Sequence, residues 1–115
     1  MATHPPETVY VGDDWVLPRV LPSGSAAPGS TLEWVLATRG ALAQAIAPDD
    51  AVVDDDGGGN VTVRVPRTIT TGVAPGRYFD ALRETLDDGS VLTQIVGQIE
   101  VINPGFEIPL AGDSP

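Results

Sequence analysis

The sequence contains no cysteine and no lysine, and its only histidine is His4. Without cysteine, the chain has no disulfide, no thiolate chemistry and no Cys-based zinc or iron–sulfur site. His4 stands beside Pro5 and Pro6, in a segment that we expect to be a solvated arm. A catalytic triad needs a histidine that a rigid scaffold holds in place. The sequence therefore predicts no Ser-His-Asp or Cys-His enzyme.

Long apolar runs and basic patches are also missing. No apolar stretch approaches the roughly 18 residues that span a bilayer, and the N-terminus lacks the basic start and apolar stretch of a signal peptide. The chain has 16 acidic residues against 6 basic ones, and its formal net charge is -10. Because nucleic acids and anionic membranes attract proteins through Lys and Arg, we expect neither as a partner.

Turn-forming residues are abundant, with 13 Gly and 11 Pro among 115 residues. This length is typical of one domain. Short β-prone runs alternate with turn signals throughout. The run from Val61 to Val65 alternates apolar and polar residues, and Asp88-Gly89 is typical of a hairpin turn. About seven such runs predict an all-β fold, a sandwich of short strands.

Three parts follow from the distribution of proline and glycine. Residues 1–7 are predicted to be a flexible N-terminal arm, because consecutive prolines disfavour both helix and sheet. Residues 8–102 are predicted to form the sandwich, and residues 103–115 a C-terminal tail rich in Pro and Gly. Pro18 is expected at a sheet edge or a bulge, and Gly97 at a bulge.

Residues 32–47 fit two types of structure. Leu32, Trp34 and Leu36 would lie on one face of a strand. The same stretch is rich in alanine, which favours a helix, but Gly40 weakens a continuous helix by about 1 kcal/mol relative to alanine. We predict a strand followed by a short irregular or helical piece.

The acidic loop after Pro48 offers oxygen ligands for calcium at Asp54, Asp56 and Asn60. An EF-hand loop that starts at Asp54 would need a glutamate at its twelfth position, where Val65 stands. A solvated loop between strands is the preferred interpretation, and calcium is the alternative. The other aspartate pairs in the sequence are interpreted as turn formers rather than as the two acids of a glycosidase.

The aromatic residues also have two interpretations. Trp15, Trp34, Tyr78 and Phe79 could form a sugar-binding platform, but tryptophans on strands more often pack in a core. We expect core packing for Trp34 above all. Tyr78 follows Gly76 by two residues, as in the tyrosine corner of Ig-like sandwiches.

Several short motifs share their order along the chain with one known family. They are Val11-Gly12-Asp13-Asp14-Trp15, Gly59-Asn60-Val61-Thr62-Val63, Pro75-Gly76-Arg77-Tyr78-Phe79-Asp80, Asp88-Gly89-Ser90-Val91 and Gly97-Gln98-Ile99-Glu100-Val101. This order resembles small Ig-like structural domains of tailed bacteriophages and prophages, and is similar to the N-terminal domain of phage baseplate upper proteins. Glu84 departs from the family pattern, which has an inward apolar residue there.

The resemblance implies an Ig-like antiparallel β-sandwich with extended N- and C-terminal arms. It also implies a virion structural protein without catalysis or cofactor, made in the host cytoplasm. Such a protein decorates the capsid or forms part of the tail, baseplate or fibre, and contacts other virion proteins and copies of itself. We expect the arms to bind partners by strand addition. The apolar residues expected to do so are Val9, Tyr10, Val11, Phe106, Ile108 and Leu110.

The alternative function is a carbohydrate-binding or adhesin module, assisted by calcium. It would rest on Trp15 and the aspartate-rich loops, and its ligand would be a host-surface glycan.

Overall fold

A computed structural model describes residues 2–38 and 44–103. The strands in chain order are β1 (Ala2–Thr3), β2 (Glu7–Tyr10), β3 (Trp15–Val20), β4 (Thr31–Thr38), β5 (Gln44–Ile46), β6 (Val52–Asp55), β7 (Asn60–Val65), β8 (Gly76–Thr85) and β9 (Val91–Ile102). A 3₁₀ turn (Pro48–Asp50) and one short helix, α1 (Arg67–Thr70), complete the elements. No helix in the described part of the chain is long and apolar enough to cross a membrane.

The strands form two sheets that pack face to face. The larger sheet has the order β1–β9–β8–β4–β5, with β2 also paired to β9, and the smaller sheet has the order β3–β7–β6. Apolar side chains from both sheets fill the space between them. The predicted all-β, Ig-like sandwich is therefore confirmed.

Alternation of side chains explains how the strands face this core. Along β7, Val61, Val63 and Val65 are buried, whereas Arg64 is exposed. Successive side chains of a strand point to opposite faces, so the predicted inward set of this strand is confirmed. Trp34 on β4 is fully buried, as expected.

The stretch that fitted either strand or helix is extended wherever the structure describes it. Residues 31–38 form β4, and β5 pairs with it through Leu36 and Ile46. The prediction of a strand is confirmed, whereas the prediction of an irregular or helical piece is wrong for residues 44–46. Ile46 is fully buried, so tertiary burial overrides the helix propensity of the alanines.

The N-terminal segment is not a free arm in this structure. β1 and β2 both run parallel to β9, with Ala2 opposite Ile95 and Glu7 opposite Ile99. Pro5 lies in the gap between the two strands, where a missing N–H interrupts the pairing without ending it. The prediction of a flexible arm over residues 1–7 is wrong for residues 2–7, and the sandwich is not purely antiparallel.

Two further details of the fold agree with the sequence. The hydroxyl of Tyr78 donates a hydrogen bond to the carbonyl oxygen of Ala74 at 2.5 Å, which confirms the tyrosine corner. Pro18 lies on β3, an edge strand of the smaller sheet, where a missing N–H is tolerated. Gly97 is not at a bulge, because it pairs in register with Asp80.

Candidate functional site: a buried charged cluster between the sheets

Arg19 is the centre of a charged cluster inside the sandwich. It follows Trp15 and Leu17 on the inward face of β3 and is only 4% exposed. Its Nη2 lies 2.9 Å from Asp80 Oδ2, and its two terminal nitrogens each lie 2.9 Å from one carboxylate oxygen of Glu7. The guanidinium therefore joins β3 of one sheet to β2 and β8 of the other.

Asp80 is the acceptor that the other members of the cluster share. It lies on the inward face of β8 and is 3% exposed. Oδ2 accepts hydrogen bonds from Arg19 and, at 2.8 Å, from the indole N–H of Trp34. Oδ1 faces Nε2 of His4 at 2.5 Å. A buried carboxylate needs such partners, because an unpaired charge in the interior is costly.

His4 belongs to this cluster and is not a solvated arm residue. Its side chain is 8% exposed, and its Nδ1 lies 2.6 Å from the carbonyl oxygen of Pro5. The ring lies over the backbone of Gly97, where a Cβ atom would collide with it. The expectation of a solvated histidine is wrong because β1 pairs with β9 and carries the ring inwards.

The cluster occupies the place of a familiar Ig feature. In antibody domains a disulfide joins the second strand to the one that carries the tyrosine corner, and its second cysteine lies two residues after that tyrosine. Asp80 lies two residues after Tyr78 on β8 of the larger sheet. Its ionic partner Arg19 lies on β3 of the smaller sheet. A buried ion pair thus makes the inter-sheet link in this cysteine-free chain.

The charges of the cluster depend on the state of His4. Burial lowers the pKa of Arg19, but the hydrogen bonds that it donates to Glu7 and Asp80 raise it more, so the pKa lies above its ordinary value. One guanidinium against two carboxylates leaves a charge of about -1 at neutral pH. A protonated His4 ring would bring the sum to zero.

A second acid, Glu84, is buried on the inward face of β8, where the resemblance predicted an apolar residue. Its carboxylate accepts hydrogen bonds from Gln94 Nε2 at 2.6 Å and from the backbone N–H of Ala27 at 2.7 Å. These contacts tie the loop between β3 and β4 to the larger sheet. Hydrogen bonds from the Ser30 hydroxyl and then from Ala27 hold the pKa of Glu84 below its ordinary value.

We expect Glu84→Gln to reduce the loss of stability in acid. Because the folded-state pKa of Glu84 is lowered, its ionised form adds stability above the ordinary value of about 4.3, and this is lost as pH falls through the folded-state pKa. Urea unfolding of wild type and variant between about pH 2 and pH 6 measures the difference. Glu100→Gln, at an exposed position, is the control. Parallel pH profiles for wild type and Glu84→Gln would contradict this account.

The three calcium candidates make other contacts within their hairpin. Asp54 accepts a hydrogen bond from Arg64 Nε at 3.0 Å on the exposed face. Asp56 accepts hydrogen bonds from the N–H of Gly58 at 2.7 Å and from the side-chain amide of Asn60 at 3.1 Å. The hydrogen bond from Gly58 is the main cause that lowers the pKa of Asp56. Within residues 2–38 and 44–103, no three His, Cys, Asp or Glu side chains gather as a metal site.

The aromatic residues that suggested a sugar platform are mostly inside the protein. Trp15 is 3% exposed and donates its indole N–H to the carbonyl oxygen of Tyr10 at 2.9 Å. Trp34 and Tyr78 are also buried. The platform interpretation is therefore wrong for these three residues, and Phe79 is half-buried.

The predicted partner-binding residues fall into two groups. Val9 and Val11 pack against the core, whereas Tyr10 pairs with Ile102 and is 40% exposed. Val9 and Tyr10 already belong to β2, which pairs with β9 in its own sheet. The C-terminal group, Phe106, Ile108 and Leu110, lies outside the described residues.

Sequence reasoning missed an exposed apolar surface on the smaller sheet. We call it the outer valine face, formed by Val16, Pro18 and Val20 of β3 with Val52 of β6. Thr62 and Arg64 of the central strand β7 lie between these two edge strands. The three valines are 53%, 68% and 55% exposed in chain order. A groove of about 430 Å³ lies at one end, beside Val16 and Val52. The sequence could have indicated this surface, because apolar residues occupy both the inward and the outward positions of β3.

Comparisons with known proteins find likeness in the fold. No protein-family model matches the chain, and no match was found among curated proteins. CopC from Methylosinus trichosporium OB3b has a similar structure, with a TM-score of 0.52, 14% identity, and coverage of 84% of this chain and 83% of that one. A family 123 glycoside hydrolase from Clostridium perfringens gives a TM-score of 0.53 at 15% identity.

The match to the glycoside hydrolase covers 90% of this chain but only 23% of the hydrolase. The titin M10–obscurin-like 1 Ig complex gives a TM-score of 0.45 at 19% identity, with coverage of 86% of this chain and 87% of that one. These likenesses concern the fold alone. The two packed sheets and the tyrosine corner make the protein an Ig-like β-sandwich module.

Proposed function

We propose that this module is a non-enzymatic structural component of a tailed-bacteriophage particle, made in the host cytoplasm. It would decorate the capsid or form part of the tail, baseplate or fibre. The ordered motifs of the sequence support the family, and they coincide with structural features. Asp88-Gly89 lies in the hairpin between β8 and β9, and Tyr78 forms the corner.

The observation that carries the proposal is the outer valine face. Exposed apolar side chains grouped on one face of a small soluble protein commonly mark a contact with another protein. On this face Arg64 of β7 lies between Val16 and Val52. Aspartates border this face, with Asp14 beside the groove and Asp54 on β6. Because the chain has a net charge of -10, another copy would be repelled there. The occupant that fits is a different virion protein with an apolar centre and a basic border.

The edge of β3 favours contact through the face rather than by strand addition. Pro18 has no N–H, and its carbonyl oxygen accepts a hydrogen bond from Arg19 Nη1 at 2.9 Å. Proline on an edge strand protects that edge from pairing with another chain. A partner would therefore pack across the valine side chains.

We expect the double substitution Val20→Ser with Val52→Ser to reduce incorporation into particles by about thirtyfold. Each exposed valine that becomes buried in a contact contributes on the order of 1 kcal/mol, and about 1.4 kcal/mol is a factor of ten. The measurement is the amount of this protein per particle, by quantitative mass spectrometry of purified phage complemented with each variant.

Val91→Ser is the matched control, because Val91 is 54% exposed but lies on the larger sheet. Equal incorporation of the double variant and the wild type would contradict docking through the outer valine face. Absence of the wild-type protein from purified particles would contradict the virion role itself.

A further inference from the structure

We infer that β1 together with His4, residues 2–4, is a proton-dependent latch that docks on β9 when the His4 ring carries a positive charge. This inference concerns the charged cluster and does not depend on the virion role.

The two nitrogen contacts of His4 define its protonation state. Nδ1 lies 2.6 Å from the carbonyl oxygen of Pro5, and Nε2 lies 2.5 Å from Oδ1 of Asp80. A carbonyl or carboxylate oxygen can only accept a hydrogen bond, so each ring nitrogen must carry a hydrogen. Neutral imidazole has one N–H, and only the imidazolium has two. With Asp80 ionised, the docked geometry therefore requires the charged ring.

The surrounding charges favour the same state. The ionisable groups around the ring are Asp80 on β8, Glu7 on β2 and Arg19 on β3. Arg19 Nη2 lies 3.3 Å from Nε2 and is itself a donor, so it repels the charged ring. The two carboxylates outweigh this repulsion, because the cluster becomes neutral only with the imidazolium. A net charge in a buried cluster is costly, so proton uptake and docking are coupled.

The latch covers one edge of the larger sheet. The backbone N–H of His4 donates to the carbonyl oxygen of Val96 at 3.0 Å, and β1 adds only Ala2 and Thr3 to the pairing. Because so short a strand has few contacts of its own, its docking depends on the His4 ring. When the ring loses its proton, one of its two hydrogen bonds is lost and the edge of β9 opens more often. An open strand edge can pair with an extended segment of another chain.

The single histidine makes a direct test straightforward in the chain of 115 residues. Nitrogen-15 NMR reports both ring nitrogens of His4, and amide hydrogen exchange, corrected for its intrinsic pH dependence, reports docking. At about pH 5 we expect both nitrogens protonated and the His4 amide protected. By about pH 8, above the range in which histidine titrates, we expect its protection to fall about tenfold.

Two variants separate the latch from a general effect of pH. His4→Asn should show a weakly protected segment with no pH dependence, because asparagine does not titrate in this range. Asp50→Asn, an exposed position far along the chain, should keep the wild-type response. The inference would be overturned if the His4 ring lost its proton as pH rose while the exchange protection of the His4 amide stayed constant. A neutral ring in the docked state, with the proton on Asp80 instead, would overturn it too, as carboxyl carbon shifts would reveal.

Discussion

Asp80→Ala should lower the free energy of unfolding by about 3–5 kcal/mol, the cost of removing one partner from a buried ion pair. The substitution leaves the Arg19 guanidinium inside the sandwich without its partner from β8. It also leaves the indole N–H of Trp34 and Nε2 of His4 without the acceptor that they share. Urea unfolding followed by circular dichroism at neutral pH gives the difference.

The exposed pair of Arg64 and Asp54 is a matched control for this loss. Its nitrogen–oxygen distance is 3.0 Å, against 2.9 Å for Arg19 and Asp80, but its side chains are 56% and 57% exposed. Exposed pairs contribute about 0–1 kcal/mol, so Asp54→Ala should cost at most about 1 kcal/mol. Similar losses for Asp54→Ala and Asp80→Ala would show that burial is not the source of the effect.

A double substitution tests whether the unpaired charge causes the loss. Arg19→Met combined with Asp80→Leu removes both buried charges and fills the space with apolar side chains. Replacing a whole buried pair in this way is often neutral, whereas breaking it is not. We therefore expect the double variant to be more stable than Asp80→Ala. His4 loses Asp80 in both variants, whereas Glu7 loses Arg19 only in the double variant.

Local patterns were sufficient to predict the strands that alternate clearly. β7 alternates buried valines with polar residues, and Asp88-Gly89 lies at the tip of the predicted hairpin. Tyr78 was recognised from its spacing to Gly76. In each case a few neighbouring residues define the structure, so no contact between distant parts of the chain was needed.

The charged cluster depends on contacts that no local pattern contains. Arg19 and Asp80 are 61 positions apart, and His4 and Asp80 are 76 apart. One signal was available, since a charged residue stands at an inward position on β3 and another on β8. The pairing of β1 with β9 gave no signal, because two consecutive prolines are typical of a free arm.

The same comparison shows how an Ig-like sandwich can do without its disulfide. A disulfide joins the sheets covalently and is insensitive to protonation at neutral pH. The pair of Arg19 and Asp80 makes the corresponding link by charge. Arg19 also binds Glu7, and Asp80 also binds His4, so the N-terminal segment is part of the link. The link therefore extends to the edge of the larger sheet, where a change in protonation alters the pairing of β1.

Gly97→Ala should displace the His4 ring and lower the free energy of unfolding by about 2 kcal/mol, the loss of a hydrogen bond between charged groups. A Cβ atom at position 97 would collide with the imidazole, and the ring can avoid it only by leaving Asp80. The His4 amide should then exchange rapidly at both ends of the pH range, so its protection should no longer depend on pH. Urea unfolding and amide exchange measure the two effects.

Gly58→Ala is the control for a glycine substitution without a collision. A Cβ atom there would meet its nearest neighbour, Asp56 Oδ1, at an ordinary contact distance of 3.5 Å. We expect a change within about 0.5 kcal/mol and a wild-type pH response. If Gly97→Ala kept both the stability and the pH-dependent protection of the wild type, the ring could not lie over Gly97. Because Gly97→Ala changes shape but no ionisable group, its result separates the position of the ring from its charge.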